Sequence, residues 1–413
     1  MQNTSGSRLN VPRQSSLRIL PSVPKLLMAA GLAALAAAGC TNKTGGGSAG
    51  NTIVIGEYGS MTGPDSTYGV SQDNGVKLAV NAANKAGGVN GKQLSINLQD
   101  DECKPEKATT VAQYLVNNVH PTAVIGEVAS GRSTPAASVF NPAKIPMISP
   151  ASTNPKVTQQ GPYIFRVCYI DPFQGTAAAK FVTENLHAKK AAVMWDQSNQ
   201  YSVGLAKYFE DSFKQQGGAI VSEQHYSSTD PSFQSALTNI KSTSPDVIYI
   251  PGYYSDIGPI AKQARQLGLT VPLMGGDGWD SDKLIQGAGG AGGALEGCYF
   301  TNHYSVDNPD PKVQAFVTAY KTQYGSRPDA LAALGYDAAG VLIEALKKVP
   351  APADGNFTSD DYRAKLRDAI AATKDYDGIT GKITLNADRN AVKPAVVLQV
   401  HGPVYVYKAT INP

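Results

Sequence analysis

Short apolar runs alternate with longer amphipathic stretches from residue 52 to about residue 275. Runs at 53–57 (IVIGE), 94–98 (LSINL), 123–128 (AVIGEV), 146–149, 191–195 (AAVMW), 219–223, 247–251 (VIYIP) and 272–275 predict strands. Helical periodicity at 72–86, 105–116, 173–186, 203–216, 233–242 and 257–267 predicts the connections between them. Near-continuous apolar strands joined by helical crossovers predict an α/β protein with parallel sheets covered on both faces. The pattern breaks near 162–174, returns near 296–304 and turns again near 392–400, which predicts two lobes joined by a three-segment hinge. We expect lobe 1 over 51–167 plus 300–391 and lobe 2 over 168–299 plus 392–413. A chain of 413 residues is also longer than a single hydrophobic core usually serves.

The first 50 residues follow a different rule. Arg8, Arg13, Arg18 and Lys25 form a basic run with no acid, and LLMAAGLAALAAA follows at 26–38, then Gly39 and Cys40. A basic stretch, a short apolar stretch and small residues read as a secretion signal over 1–39, too short to span a bilayer, which takes roughly 20 apolar residues. The cysteine after Ala37, Ala38 and Gly39 resembles a bacterial lipobox, which implies acylation of Cys40 and a membrane anchor; the other reading is an ordinary signal with Cys40 incidental. Residues 40–50 then hold that cysteine and a Gly-rich flexible tether. Removing 1–39 deletes four of 36 basic residues and no acid, leaving 32 against 33 and a formal charge of −1. So neutral a body gives no support for a nucleic-acid partner.

The turns after the strands carry the candidate chemistry. In open α/β sheets ligands bind outside the carboxyl ends of the strands. Ser130 follows the third strand at the start of a helical stretch. It either caps that helix or, with the first N–H groups of the turn, holds an anion. Thr153 offers a second hydroxyl and Ala151 a carbonyl. Asp277 lies among Gly275, Gly276 and Gly278, glycines that permit close backbone approach or positive φ. It either bonds its own turn or pairs with a ligand ammonium. Tyr201 and Tyr253 bring a hydroxyl and a ring face each. Donors on one lobe and an acid on the other suit a zwitterion, whose buried charges must both be paired.

The segments 61–69 (MTGPDSTYG), 86–91 (AGGVNG), 165–175 (FRVCYIDPFQG), 245–254 (PDVIYIPGYY), 275–280 (GGDGWD), 302–305 (NHYS) and 380–384 (TGKIT), with Asp100, Asp101 and Pro105, resemble the substrate-binding proteins of branched-chain amino-acid ABC transporters. The resemblance implies two Rossmann-like lobes of the type I periplasmic-binding fold. It also implies a monomeric, non-enzymatic, extracytoplasmic protein without cofactor or metal, which captures a small neutral amino acid and delivers it to permease subunits. Ser130, Thr153 and Ala151 would then hold the ligand carboxylate. Tyr201, Tyr253 and Asp277 would surround the ammonium, and Tyr68 and Leu331 would line the side-chain pocket. The leucine-binding relatives usually have Glu where this chain has Asp277. Another small carboxylate, an amide, urea or a ligand-presenting sensor role stands as the alternative. Relatives often pair a cysteine at position 103 with one at position 129, which here is Ala129. Cys168 and Cys298 fall on neighbouring hinge strands of that fold, which implies a Cys168–Cys298 disulfide with Cys103 free. Arg132 is expected as a solvated charge at the helix start; pointing inward, it would instead meet a distal acid or polar group.

Other signals are weaker. Residues 287–292 spell G-x-G-x-x-G but follow a helical stretch and precede a strand-like one, the reverse of a dinucleotide site. The five histidines lack metal-ligand spacing. Asp100, Asp101 and Glu102 are expected to cap the helix near Pro105.

Overall fold

The computed structural model describes residues 52–413. The leader over 1–39, Cys40 and the tether lie outside the described residues. Strands β1 (Thr52–Gly59), β2 (Gln93–Asp100), β3 (Ala123–Ile125), β4 (Met147–Ser149) and β5 (Ile164–Arg166) form one sheet in the order β2-β1-β3-β4-β5. All its pairings are parallel. Its first crossovers are helices α1 (Ser66–Lys85), α2 (Pro105–Tyr114) and α3 (Ser130–Phe140). β3, β4 and β5 are buried along their whole length, as an apolar strand covered on both faces must be.

After β5 the chain enters a second sheet through helix α4 (Asp171–Glu184). Strands β6 (Lys190–Asp196), β7 (Ala219–Tyr226), β8 (Val247–Tyr249), β9 (Leu273–Gly275) and β10 (Tyr299–Asn302) run parallel there. Their connections carry α5 (Gln200–Gln215), α6 (Gln234–Ser242), α7 (Tyr254–Gln266) and α8 (Asp282–Gly287). The chain then returns to the first lobe with α9 (Pro311–Tyr324), α10 (Ala330–Lys348), α11 (Asp360–Ala371) and a hairpin of β11 (Tyr376–Gly378) and β12 (Gly381–Ile383). Antiparallel β13 (Ala395–His401) and β14 (Val404–Ile411) complete the second sheet, ordered β14-β13-β10-β9-β8-β6-β7.

Three crossings therefore join the sheets, at 167–170, after Asn302 and at 392–394. The second falls after Asn302 rather than at residue 300, because β10 pairs along its length with β13 and also with β9. α1 begins six residues before its expected start, at Ser66. That brings Tyr68 and Gly69 onto the helix. α1 packs lengthwise on α10, and two glycines set the separation. A Cβ on Gly75 would stand 2.0 Å from the Ala332 carbonyl oxygen, and one on Gly335 would stand 2.5 Å from that of Gln72. This close backbone approach carries Tyr68 and Leu331 to the same end of the lobe.

Candidate functional site

At the carboxyl ends of the strands the two lobes meet around one small chamber. It is lined by Tyr68, Val128, Ser130, Ala151, Thr153 and Leu331 from the first lobe and by Tyr201, Tyr253, Asp277 and Gly278 from the second. All eight positions expected to meet a ligand face this chamber. Its walls are close: the cavity volume is about 10 Å³, about one water. The Tyr68 hydroxyl donates across the lobes to the Gly278 carbonyl. Around it, Ser255 donates to Asp65 at 2.9 Å, Tyr254 to the Pro64 carbonyl at 2.8 Å and Asn154 to the Gln200 carbonyl at 3.2 Å. With these bonds in place the chamber has no room for a guest of amino-acid size.

The first-lobe face is a set of donors. Ser130 does not cap α3: Ala129 occupies the N-cap, with no side-chain cap bond. Instead the Ser130 oxygen accepts the Asn154 N–H at 3.1 Å, which leaves its own proton for another partner. The reason is tertiary, since the turn after β4 lies against the start of α3. The Thr153 hydroxyl is buried without a hydrogen-bond partner.

The second-lobe face centres on Asp277, only 5% exposed. Its Oδ1 accepts from Gln174 Nε2 and from the Tyr201 hydroxyl, both at 2.8 Å. Its Oδ2 lies 2.9 Å from His303 Nε2. The flanking glycines serve close approach rather than positive φ. A Cβ on Gly276 would stand 2.3 Å from the Tyr201 hydroxyl oxygen, and one on Gly278 would stand 2.7 Å from the Gly252 carbonyl oxygen. Tyr201 stacks on Tyr253 with centroids 5.4 Å apart and planes at 15°. The Tyr201 oxygen also accepts the Gly278 N–H at 3.2 Å.

Three expectations are corrected. Arg132 is buried, not solvated. It donates to Glu127 at 2.9 Å and to Asp65 at 3.4 Å, with its guanidinium 5.8 Å from the Tyr253 ring centre. It lines a separate cavity of about 530 Å³ beside the chamber, with Asp65, Asn199, Ser255 and Asp256. A buried guanidinium is tolerable only with such partners. Cys168 and Cys298 are not joined: the three described cysteines are free thiols. Each sulfur has its own surroundings. Cys298 accepts from Arg265 at 3.2 Å and from the Leu273 N–H at 3.4 Å, whereas Cys168 sits near Arg166, Asp277 and Lys393. Asp100 and Asp101 do not cap α2. They bind the Met61, Thr62 and Ser60 turn after β1 and the backbone of Glu102 and Cys103.

Gln174 and His303 were missed by the sequence reading, although both lie inside motifs quoted above. Neither signals locally that it will meet Asp277, which is 103 and 26 residues away respectively.

Among the described residues no helix is long and apolar enough to cross a membrane. The family model described as periplasmic binding protein matches residues 52–403. The leucine-, isoleucine-, valine-, threonine- and alanine-binding protein of Pseudomonas aeruginosa is 30% identical over 330 residues, covering 80% of this chain and 87% of the relative. A leucine-binding protein from Thermotoga maritima has a TM-score of 0.81 at 37% identity, covering 87% of this chain and 99% of that structure. A branched-chain amino-acid transporter substrate-binding protein from Streptococcus pneumoniae, solved with isoleucine, has a TM-score of 0.79 at 33% identity over the same shares. Two α/β lobes meeting at their strand ends, and a match over all but the last ten described residues, place the chain in the periplasmic binding protein family.

Proposed function

We propose that this chain is the extracytoplasmic solute-binding lipoprotein of an ABC importer, and that it captures a small neutral aliphatic amino acid by closure of its lobes. The observation that carries the reading is the chamber's polarity. Ser130 and Thr153 face it from the first lobe and Asp277 from the second. A zwitterion uses both ends at once, while a neutral guest leaves the acid without a cation and an anion adds a like charge beside it. Tyr68, Val128, Leu331 and Tyr253 supply the apolar remainder of the wall, which favours an aliphatic side chain. Ligand energy then offsets the separation of the lobes in solution and selects the closed form. Kinship with the family supports binding without turnover, a single-chain body and delivery to permease subunits. Cys40, once acylated, would tether the protein at the membrane, each buried methylene contributing roughly 0.8 kcal/mol.

A thermal-shift panel of leucine, isoleucine, valine, threonine and alanine tests the reading. A ligand at 100 times its Kd stabilises the folded state by about 2.7 kcal/mol. No shift with any of the five would refute the amino-acid assignment. Cys40→Ser should move the protein from the membrane fraction to the soluble one, and an unchanged distribution would refute the anchor.

A further inference from the structure

We propose that His303, on the second hinge segment, is a positioning residue for the ligand ammonium: as a neutral ring it holds Asp277 in place while leaving the carboxylate's charge to the ligand. The inference rests on the amino-acid reading above and deepens it.

An ionised carboxylate only accepts hydrogen bonds, so the hydrogen between His303 and Asp277 sits on His303 Nε2. Nδ1 then carries a lone pair, and it is buried with no hydrogen-bond partner. A carboxylate has about four acceptor positions. In Asp277 two on Oδ1 are taken by Gln174 and Tyr201 and one on Oδ2 by His303. One position on Oδ2 stays without a partner among the described residues, and Asp277 lines the chamber. All three donors are uncharged, so among the described residues no full positive charge bonds to Asp277, and that place is left to the ligand's.

That arrangement fails if His303 takes up a second proton. The imidazolium would neutralise Asp277 from behind and compete with the ammonium. The surroundings oppose it. The ring is buried, which disfavours the cation, and Asp277 alone pulls the other way. From the third hinge segment the Lys393 ammonium adds a like charge. From the first, Tyr169 stacks on the ring with centroids 3.8 Å apart and planes at 26°. On its own segment the His303 backbone N–H donates to the Asn302 side-chain oxygen at 2.8 Å, which fixes the main chain and not the ring's charge. The ring's ionisation is thereby held below its ordinary value, and burial is the main cause. His303 thus touches the first hinge segment at Tyr169 and the ligand's anchor at Asp277, and feels the charge of Lys393 on the third.

The test is calorimetric titration with L-leucine from pH 5 to 8 on wild type, His303→Gln and His303→Leu. Glutamine carries an amide Nε2 that can replace the ring donor but cannot ionise near neutrality. The expected result has three parts. Wild-type affinity falls as pH drops through the ring's ionisation, toward about tenfold per pH unit. H303Q binds within about threefold of wild type at pH 7.5 and lacks that fall, while H303L binds about tenfold or more weakly at every pH. Wild-type binding near pH 5, compared in buffers of different ionisation enthalpy, should release protons; this readout needs no variant. Equal pH dependence in wild type and H303Q, or no proton release, would overturn the proposal while leaving amino-acid binding intact. Failure of wild type to bind L-leucine or any of isoleucine, valine, threonine and alanine at any pH would overturn the aliphatic amino-acid reading and this proposal with it.

Discussion

Replacing Asp277 with asparagine separates the charge at the anchor from its shape. The amide oxygen can keep the Gln174 and Tyr201 bonds, both at 2.8 Å in the parent. The amide nitrogen faces His303, whose ring moves its hydrogen to the unpartnered Nδ1 and accepts at Nε2. Packing is therefore preserved, and the loss is one negative charge at a position 5% exposed. Truncating one partner of a buried hydrogen-bonded charge pair costs about 2–5 kcal/mol. At about 1.4 kcal/mol per decade that is roughly a 30- to 4,000-fold rise in Kd. The free protein should not suffer, because an unpaired buried carboxylate is itself costly. Calorimetry with L-leucine and thermal melting without it, on D277N beside wild type, check both halves. We expect weakened binding with an unchanged or higher Tm. Binding within about threefold of wild type would refute the claim that Asp277 receives the ammonium, and a collapse in Tm would refute the claim that its charge serves the ligand rather than the fold.

Other outcomes follow from the same geometry. Ser130→Ala removes one hydrogen bond to the ligand carboxylate and should weaken binding by about 1.5–3 kcal/mol in calorimetry; unchanged affinity would place the carboxylate elsewhere. Gly75→Ala sets a methyl 2.0 Å from a backbone oxygen of α10, which cannot move as a side chain can. It should cost about 3 kcal/mol or more of stability in urea unfolding. Glu57 is fully buried, and burial, with Asp73 nearby, pushes its carboxyl up to about 8 from 4.5. The folded state then binds more protons than the unfolded one across that window, so stability is lost as pH rises from about 4.5 to 8. At about 1.4 kcal/mol per pH unit the loss reaches at most about 5 kcal/mol. Glu57→Gln should flatten that slope in urea melts at pH 5 and pH 8, and an identical slope would count against a protonated Glu57. Alkylation of denatured, unreduced protein should modify Cys103, Cys168 and Cys298 alike, whereas two protected thiols would restore a disulfide.

The sequence pattern exposed some of this structure and concealed the rest for physical reasons. Strands such as β3, β4, β8 and β9 read clearly because both faces are buried and every residue is apolar or small. β14 lies at an antiparallel edge and, although VYVY at 404–407 is apolar, all its positions but Ile411 are half-buried or exposed. The start of α1 was hidden because Ser66 and Thr67 are polar, and Thr67 meets the other lobe at both Tyr254 and Ser281. The chamber's lining was legible through motifs around short turns, since each turn places its residue at a strand end. Ser130 looked like a cap because cap geometry is local, whereas the Asn154 N–H that occupies it arrives from 24 residues away. Arg132 looked solvated because its partner Asp65 is 67 residues distant. His303 gave no signal, because its meeting with Asp277 depends on β9 and β10 running side by side in parallel.

A crystal structure of the protein with L-leucine bound would locate both charged ends of the guest. The amino acid should lie between the lobes, its carboxylate within hydrogen-bond reach of Ser130 and Thr153 and its ammonium on Asp277 Oδ2, with His303 still bonded behind. Leucine seated in the neighbouring cavity beside Arg132, or lying in the chamber with its carboxylate toward Asp277, would contradict that placement.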